Sequence, residues 1–160
     1  MKIIFDQANK KDIEELIRLR KAYMIDDLGE LSNNDRMCME KQLPDYFMRK
    51  LGTELIAFVA RADDHIVGVT LLHIIEAPAS PFLPSGYKGE VLGVYTEPEY
   101  RHQGICTKLM SDLVAYGKDF GLDRIDLGAT KLGYPVYYKV GFRDDDSHYT
   151  SMTYYFKDDK

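Results

Sequence analysis

The sequence predicts an α/β fold of the mixed α+β kind, with a central mixed, mostly antiparallel sheet flanked by helices. Three observations predict it. Residues 54–62 and 65–76 read as apolar strands joined by Asp63-Asp64, a hairpin. Residues 104–120 carry Ile105, Leu109, Leu113, Tyr116 and Phe120 at helical spacing, and Gly121 ends the run. Around these the patterns follow one another as strand, two helices, three strands, helix, strand, short helix and strands.

The elements can be justified in turn. Ile3 to Phe5 open a short strand. Asp12 with Glu15 three positions on has the form of a capping box, and Ile13, Leu16, Ile17 and residues 19–24 then give a helical apolar face. Polar residues 30–36 break that pattern. Residues 37–51 read as a second helix that Pro44 is expected to break or kink. After the hairpin, residues 78–86 hold three of the six prolines and form a loop. Residues 88–96 alternate as a strand, with Glu90, Leu92 and Val94 on one face and Val91, Gly93 and Tyr95 on the other. Beyond the long helix, residues 124–129 alternate as a strand. Residues 135–140 form a short helix between Pro135 and Gly141, and Phe142 with residues 148–156 are expected to close the sheet.

The bulk properties set limits. A chain of 160 residues fits one domain, residues 1–160, large enough to bury about two-thirds of its unfolded surface. Its net charge of -5 speaks against a phosphate-backbone footprint, so no nucleic-acid partner is expected. The longest apolar run, residues 66–75, is too short to span a bilayer, and the N-terminus does not have the form of a signal peptide. Cys38 and Cys106 form neither a disulfide framework nor a metal motif, and the four histidines have no ligand spacing. A reducing, cytoplasmic location without metal is expected, and the oligomeric state, a homodimer included, stays open.

Residues 90–110 carry the chemistry. A strand ends near Thr96, a turn with Pro98 follows, and Arg101-His102-Gln103-Gly104-Ile105-Cys106 runs into the long helix. A helix start leaves about four backbone N–H groups unpaired and carries roughly half a positive charge. Gly104 has no Cβ to keep a phosphate from that backbone, and Arg101 can add charge. This is a pyrophosphate cradle, although it is neither a P-loop nor a dinucleotide fingerprint.

Arg101-x-x-Gly104-x-Cys106 resembles the pyrophosphate loop of the GNAT N-acetyltransferases, with Leu92-x-Val94 and Pro98-x-Tyr100-Arg101 similar to that family's approach to it. Downstream, Ala129-Thr130 and Pro135-Val136-Tyr137-Tyr138-Lys139-Val140-Gly141-Phe142 resemble a second family segment at the usual separation. The resemblance covers essentially the whole chain. It departs from the family pattern at Cys106, where Gly or Ala is usual, and at Thr130, near a common asparagine position.

The resemblance implies an acetyl-CoA-dependent N-acetyltransferase. The strands at 90–96 and 124–129 would splay to admit the cofactor arm. The backbone of Val94, Tyr95 and Thr96 would line that arm in the manner of strand addition. Arg101 and the amides of His102, Gln103, Gly104, Ile105, Cys106 and Thr107 would hold the pyrophosphate, and Thr130 would face the cofactor. The Val94 N–H would meet the thioester oxygen. Tyr137 would be the general acid, with Tyr138 the second choice, and Glu90 is a candidate base. The acceptor is expected to be a primary amine of a small molecule. A protein amine, or an idle CoA-binding regulatory domain with the same fold, are the alternatives.

Overall fold

The computed structural model describes residues 2–157. Five strands form one sheet in the order β1 (Ile3–Gln7), β2 (Leu55–Ala62), β3 (His65–Glu76), β4 (Tyr87–Thr96) and β5 (Ile125–Asp126). The first three pairings are antiparallel and the last is parallel, giving the mixed sheet the patterns predicted. β2 and β3 are buried almost throughout because helices cover both faces. Helices α1 (Ile13–Leu28) and α2 (Asn33–Lys50) close one face over Leu16, Leu19, Phe47, Leu55, Val59 and Leu71. Helix α3 (Ile105–Phe120) closes the other through Ile105, Leu109 and Leu113, which meet Phe58, Val67 and Leu72. Helix α4 (Tyr134–Val140) packs beside α3.

Several local expectations are corrected. Asp12 makes no side-chain cap on α1. The capping box lies one turn earlier, where Asn9 accepts from Lys11 N–H and donates its own N–H to Asp12. Asp12 is held there by Arg61. The polar residues before α2 start that helix: Ser32 Oγ accepts the Asp35 N–H at 3.0 Å. Pro44 does not break α2. It faces solvent, so the carbonyl deprived of its partner, that of exposed Glu40, can be met by water.

A β-bulge matters more for the site. β3 pairs Leu71 with Gly93 but Leu72 with Val91, so Leu92 is an extra residue on β4. The alternation of faces therefore flips. Glu90 and Leu92 share a face as expected, the one covered by α1 and α2, but Gly93 and Tyr95 join them, and Val94 and Thr96 turn toward α3. The expected shared face of Glu90 and Val94 is lost. Pairing with β5 stops at Glu90 opposite Asp126, just ahead of the bulge. The strand expected over 124–129 is consequently two residues long. With so little edge to extend, Phe142 and residues 148–156 form no strands. Phe142 instead ends α4, donating its N–H to Tyr137 O, and Tyr149, Met152, Tyr154, Tyr155 and Phe156 stay exposed.

Candidate active site

Among the described residues, β4 from Val91 to Thr96 pairs with β3 on one side and with no strand on the other. This is the splay expected between β4 and β5. Among the described residues the one buried side-chain polar atom without a hydrogen-bond partner, Thr96 Oγ1, lies at the end of this open edge. Tyr95 is buried against the α1/α2 core.

The turn after β4 brings the open edge to the start of α3. Pro98–Tyr100 form a single 3-10 turn, and His102 and Gly104 then take left-handed backbone angles, φ 62° and 82°. Gly104 is the N-cap, and no side chain caps the helix. The first N–H bonded into the helix is that of Lys108, to Gly104 O at 3.1 Å, so the amides of Ile105, Cys106 and Thr107 stand ahead of the ladder. A Cβ at Gly104 would have nothing within 4 Å, so the concavity is open to an incoming group. Positive-φ residues at an uncapped helix start form a concave array of N–H groups suited to an anion.

The side chains around this turn are arranged less openly than the sequence suggested. Arg101 folds back on β4: its Nε donates to Thr96 O at 2.8 Å, its Nη2 lies 3.4 Å from Asp26, and its guanidinium lies over the Tyr95 ring. Gln103 Nε2 donates to Glu99 O at 3.3 Å, and His102 is exposed. Thr130 is used locally, accepting the Gly133 N–H on its hydroxyl and the Tyr134 N–H on its carbonyl at the start of α4. Glu90 is exposed beyond the bulge.

α4 presents Tyr137 toward the same place. Gly133, one turn earlier, leaves room for the ring, since a Cβ there would lie 2.7 Å from it. Burial pushes the Tyr137 hydroxyl up to about 12, with Cys106 and Tyr23 adding to the shift. Those two groups belong to the start of α3 and to α1, and the Tyr137 ring packs edge-on against Phe142. Burial also pushes the Cys106 thiol up. Tyr138 differs from its neighbour: it is exposed, with the Arg143 guanidinium 4.3 Å from its ring.

Sequence reasoning missed Arg20. Its Nη1 donates to Leu92 O, the carbonyl of the bulge residue, at 2.7 Å. A helical wheel held the signal, because Arg20 follows Leu16 by four positions and precedes Tyr23 by three, on the apolar stripe rather than the wet face. Among the described residues no group of His, Cys, Asp or Glu is placed to hold a metal ion, and no helix is long and apolar enough to cross a membrane.

The acetyltransferase (GNAT) family model matches residues 16–142. A crystal structure of a predicted acetyltransferase with acetyl-CoA from Clostridium acetobutylicum is 33% identical, covers 95% of this chain and 96% of its own, and superposes with a TM-score of 0.83. A GCN5-related N-acetyltransferase from Ralstonia eutropha is 22% identical over 94% of this chain and 99% of its own, with a TM-score of 0.78. An aminoglycoside acetyltransferase from an uncultured soil metagenomic sample, in complex with trehalose, is 17% identical over 97% of each chain, with a TM-score of 0.68. No curated protein matches at the sequence level.

Proposed function

The chain belongs to the GNAT acetyltransferase family, and from that premise we propose that it is an acetyl-CoA-dependent N-acetyltransferase acting on a primary amine of a small molecule. One observation carries the reading: the unpaired edge of β4 runs directly into an uncapped, glycine-opened helix start, and α4, which carries Tyr137, packs beside that helix. The residues fit the cofactor. The open edge over Val94, Tyr95 and Thr96 suits an extended amide-bearing arm, the orphaned Thr96 hydroxyl offers a further polar contact, and the amides of 102–107 suit a pyrophosphate. Arg101 supports the turn through Thr96 and can add charge at its edge. Acetyl-CoA supplies an acetyl group activated as a thioester.

The chain's own groups have three tasks in this reading. The Val94 N–H meets the carbonyl oxygen as charge gathers on it. Tyr137 keeps its proton at neutral pH and gives it to the departing sulfur. The amine must lose a proton, and exposed Glu90, on the α1/α2 face, takes it through water. The test is a panel of amines incubated with acetyl-CoA, read as free thiol released. Release that depends on an amine supports the reading. Binding of acetyl-CoA without turnover of any amine in a broad panel would favour an idle CoA-binding domain instead.

A further inference from the structure

Arg20 is a half-buried cation with no acid beside it among the described residues. The other cations of α1 that bear on the core are paired: Arg18 with Glu15 and Glu97, and Lys21 with Glu40. Arg20 Nη1 donates to Leu92 O, and its guanidinium lies 5.4 Å from the centre of the Tyr23 ring. Among the described residues no carboxylate lies within ion-pair distance of it, and its Nε and Nη2 have no acceptor. Burial works against its charge. An arginine does not shed its proton to escape such a place, so the charge stays and lacks a counter-charge.

Its position gives that charge a use. A Cβ at Gly93 would lie 2.7 Å from Arg20 Nη1, so the glycine is what lets the guanidinium lie against β4. The next residue is Val94. The apolar lining beside Arg20 comes from Leu16, Leu19, Tyr23 and Leu71, on the α1/α2 face that also carries Glu90. With Nη1 committed to the bulge, Nε and Nη2 form one side of the guanidinium fork. Two parallel N–H groups there match the two oxygens of a carboxylate.

We propose that Arg20 recognises a carboxylate on the acceptor, and that the acceptor is therefore an amine carrying a carboxylate close to its nitrogen, as a free amino acid does. This rests on the acetyltransferase reading above and narrows its substrate class. A polycationic amine would set further positive charge beside an unpaired guanidinium, and an internal lysine of a protein offers no such carboxylate.

Isothermal titration calorimetry at saturating CoA tests it, with N-acetylglycine and N-acetylglycinamide as probes. These two differ in the carboxylate alone. The wild-type protein is expected to bind the acid at least tenfold more tightly than the amide. Arg20→Gln is expected to bring the acid to the level of the amide while leaving amide binding within about threefold, because a purely structural loss would weaken both probes together. Equal binding of acid and amide by the wild type overturns the proposal, and that comparison needs no variant to fold. A preference for the acid that survives in Arg20→Gln also overturns it. The CoA titration run beforehand separates the two readings: failure of CoA to bind strikes the acetyltransferase reading itself, whereas CoA binding with no acid preference strikes the role of Arg20 alone.

Discussion

Burial pushes the Tyr137 hydroxyl up to about 12 from an ordinary value of 10.0, so the group is a proton donor throughout the neutral range. Tyr137→Phe keeps the half-buried ring and removes only that proton. It is expected to lower kcat by about 10²–10⁴-fold while the dissociation constant of acetyl-CoA changes little. An unchanged single-turnover rate would return Tyr137 to simple packing. The linkage has a definite sign. The folded state holds the proton more tightly than the unfolded one, so this group's contribution to stability falls as pH rises from about 10 to about 12, and the Phe variant lacks that loss. Cys106 obeys the same desolvation. Exposed Cys38 is expected to react with an alkylating reagent before half-buried Cys106, and CoA is expected to slow Cys106 further; peptide mapping with and without CoA reads both. Faster modification of Cys106 would mean that the helix dipole governs it after all. Tyr137, Gly104 and the turn were legible in the sequence because each sits in a short motif. Arg20 was passed over because a charged residue on a helix is ordinarily solvated; its place on the apolar stripe with Leu16 and Tyr23 was the signal, and its packing against Gly93 bears that signal out.

At the scale of elements, α3 shows what a start without a side-chain cap is for. Gly104 holds φ 82° with open space where a Cβ would stand. Gly104→Val is therefore expected to leave the core intact but to cost about 1–2 kcal/mol from the left-handed backbone. Its methyl groups would fill the concavity, and acetyl-CoA affinity is expected to fall at least tenfold. Thermal melts with and without acetyl-CoA measure both quantities. A variant that melts like the wild type and is stabilised equally by acetyl-CoA would place the pyrophosphate elsewhere. Helix α3 and strands β2 to β4 could be read from apolar period because each buries a regular face. The bulge at Leu92 could not. A residue inserted into a strand leaves the sequence alternation unchanged and alters only which face each later residue meets. The failure of the closing strands has a related origin: HYTSMTYYF at 148–156 has strand propensity, but β5 supplies only two paired residues.

Across the whole molecule, two ion-pair groups fasten α1 to the sheet. Arg61 on β2 grips Asp12 with two bonds of 2.9 Å and Asp6 on β1 with a third of 2.9 Å. Arg18 joins Glu15 to Glu97 and to the Ile66 carbonyl, tying α1 to the start of β3 and to the residue after β4. The Arg61 bonds hold the Asp12 carboxyl below its ordinary value of 3.8, and those of Arg18 hold Glu15 below 4.5. Both folded-state values are depressed, so their contribution is fully present above the unfolded values and is lost as pH falls through the folded ones. The melting temperature is therefore expected to drop as pH falls below about 4.5, where the unfolded chain begins to bind protons that the folded chain resists. Arg61→Gln removes the partner of Asp12 without removing the carboxylate. It is expected to cost about 1.5–3 kcal/mol at neutral pH, the range for hydrogen bonds to charged groups, and to make the acid limb shallower, since Asp12 would then titrate nearer its unfolded value. Thermal melts of both proteins from pH 7 to pH 3 give the two slopes. Parallel limbs would show that Asp12 gains nothing from Arg61 that water does not also provide, and that packing of Leu16 and Leu19 alone holds α1 on the sheet.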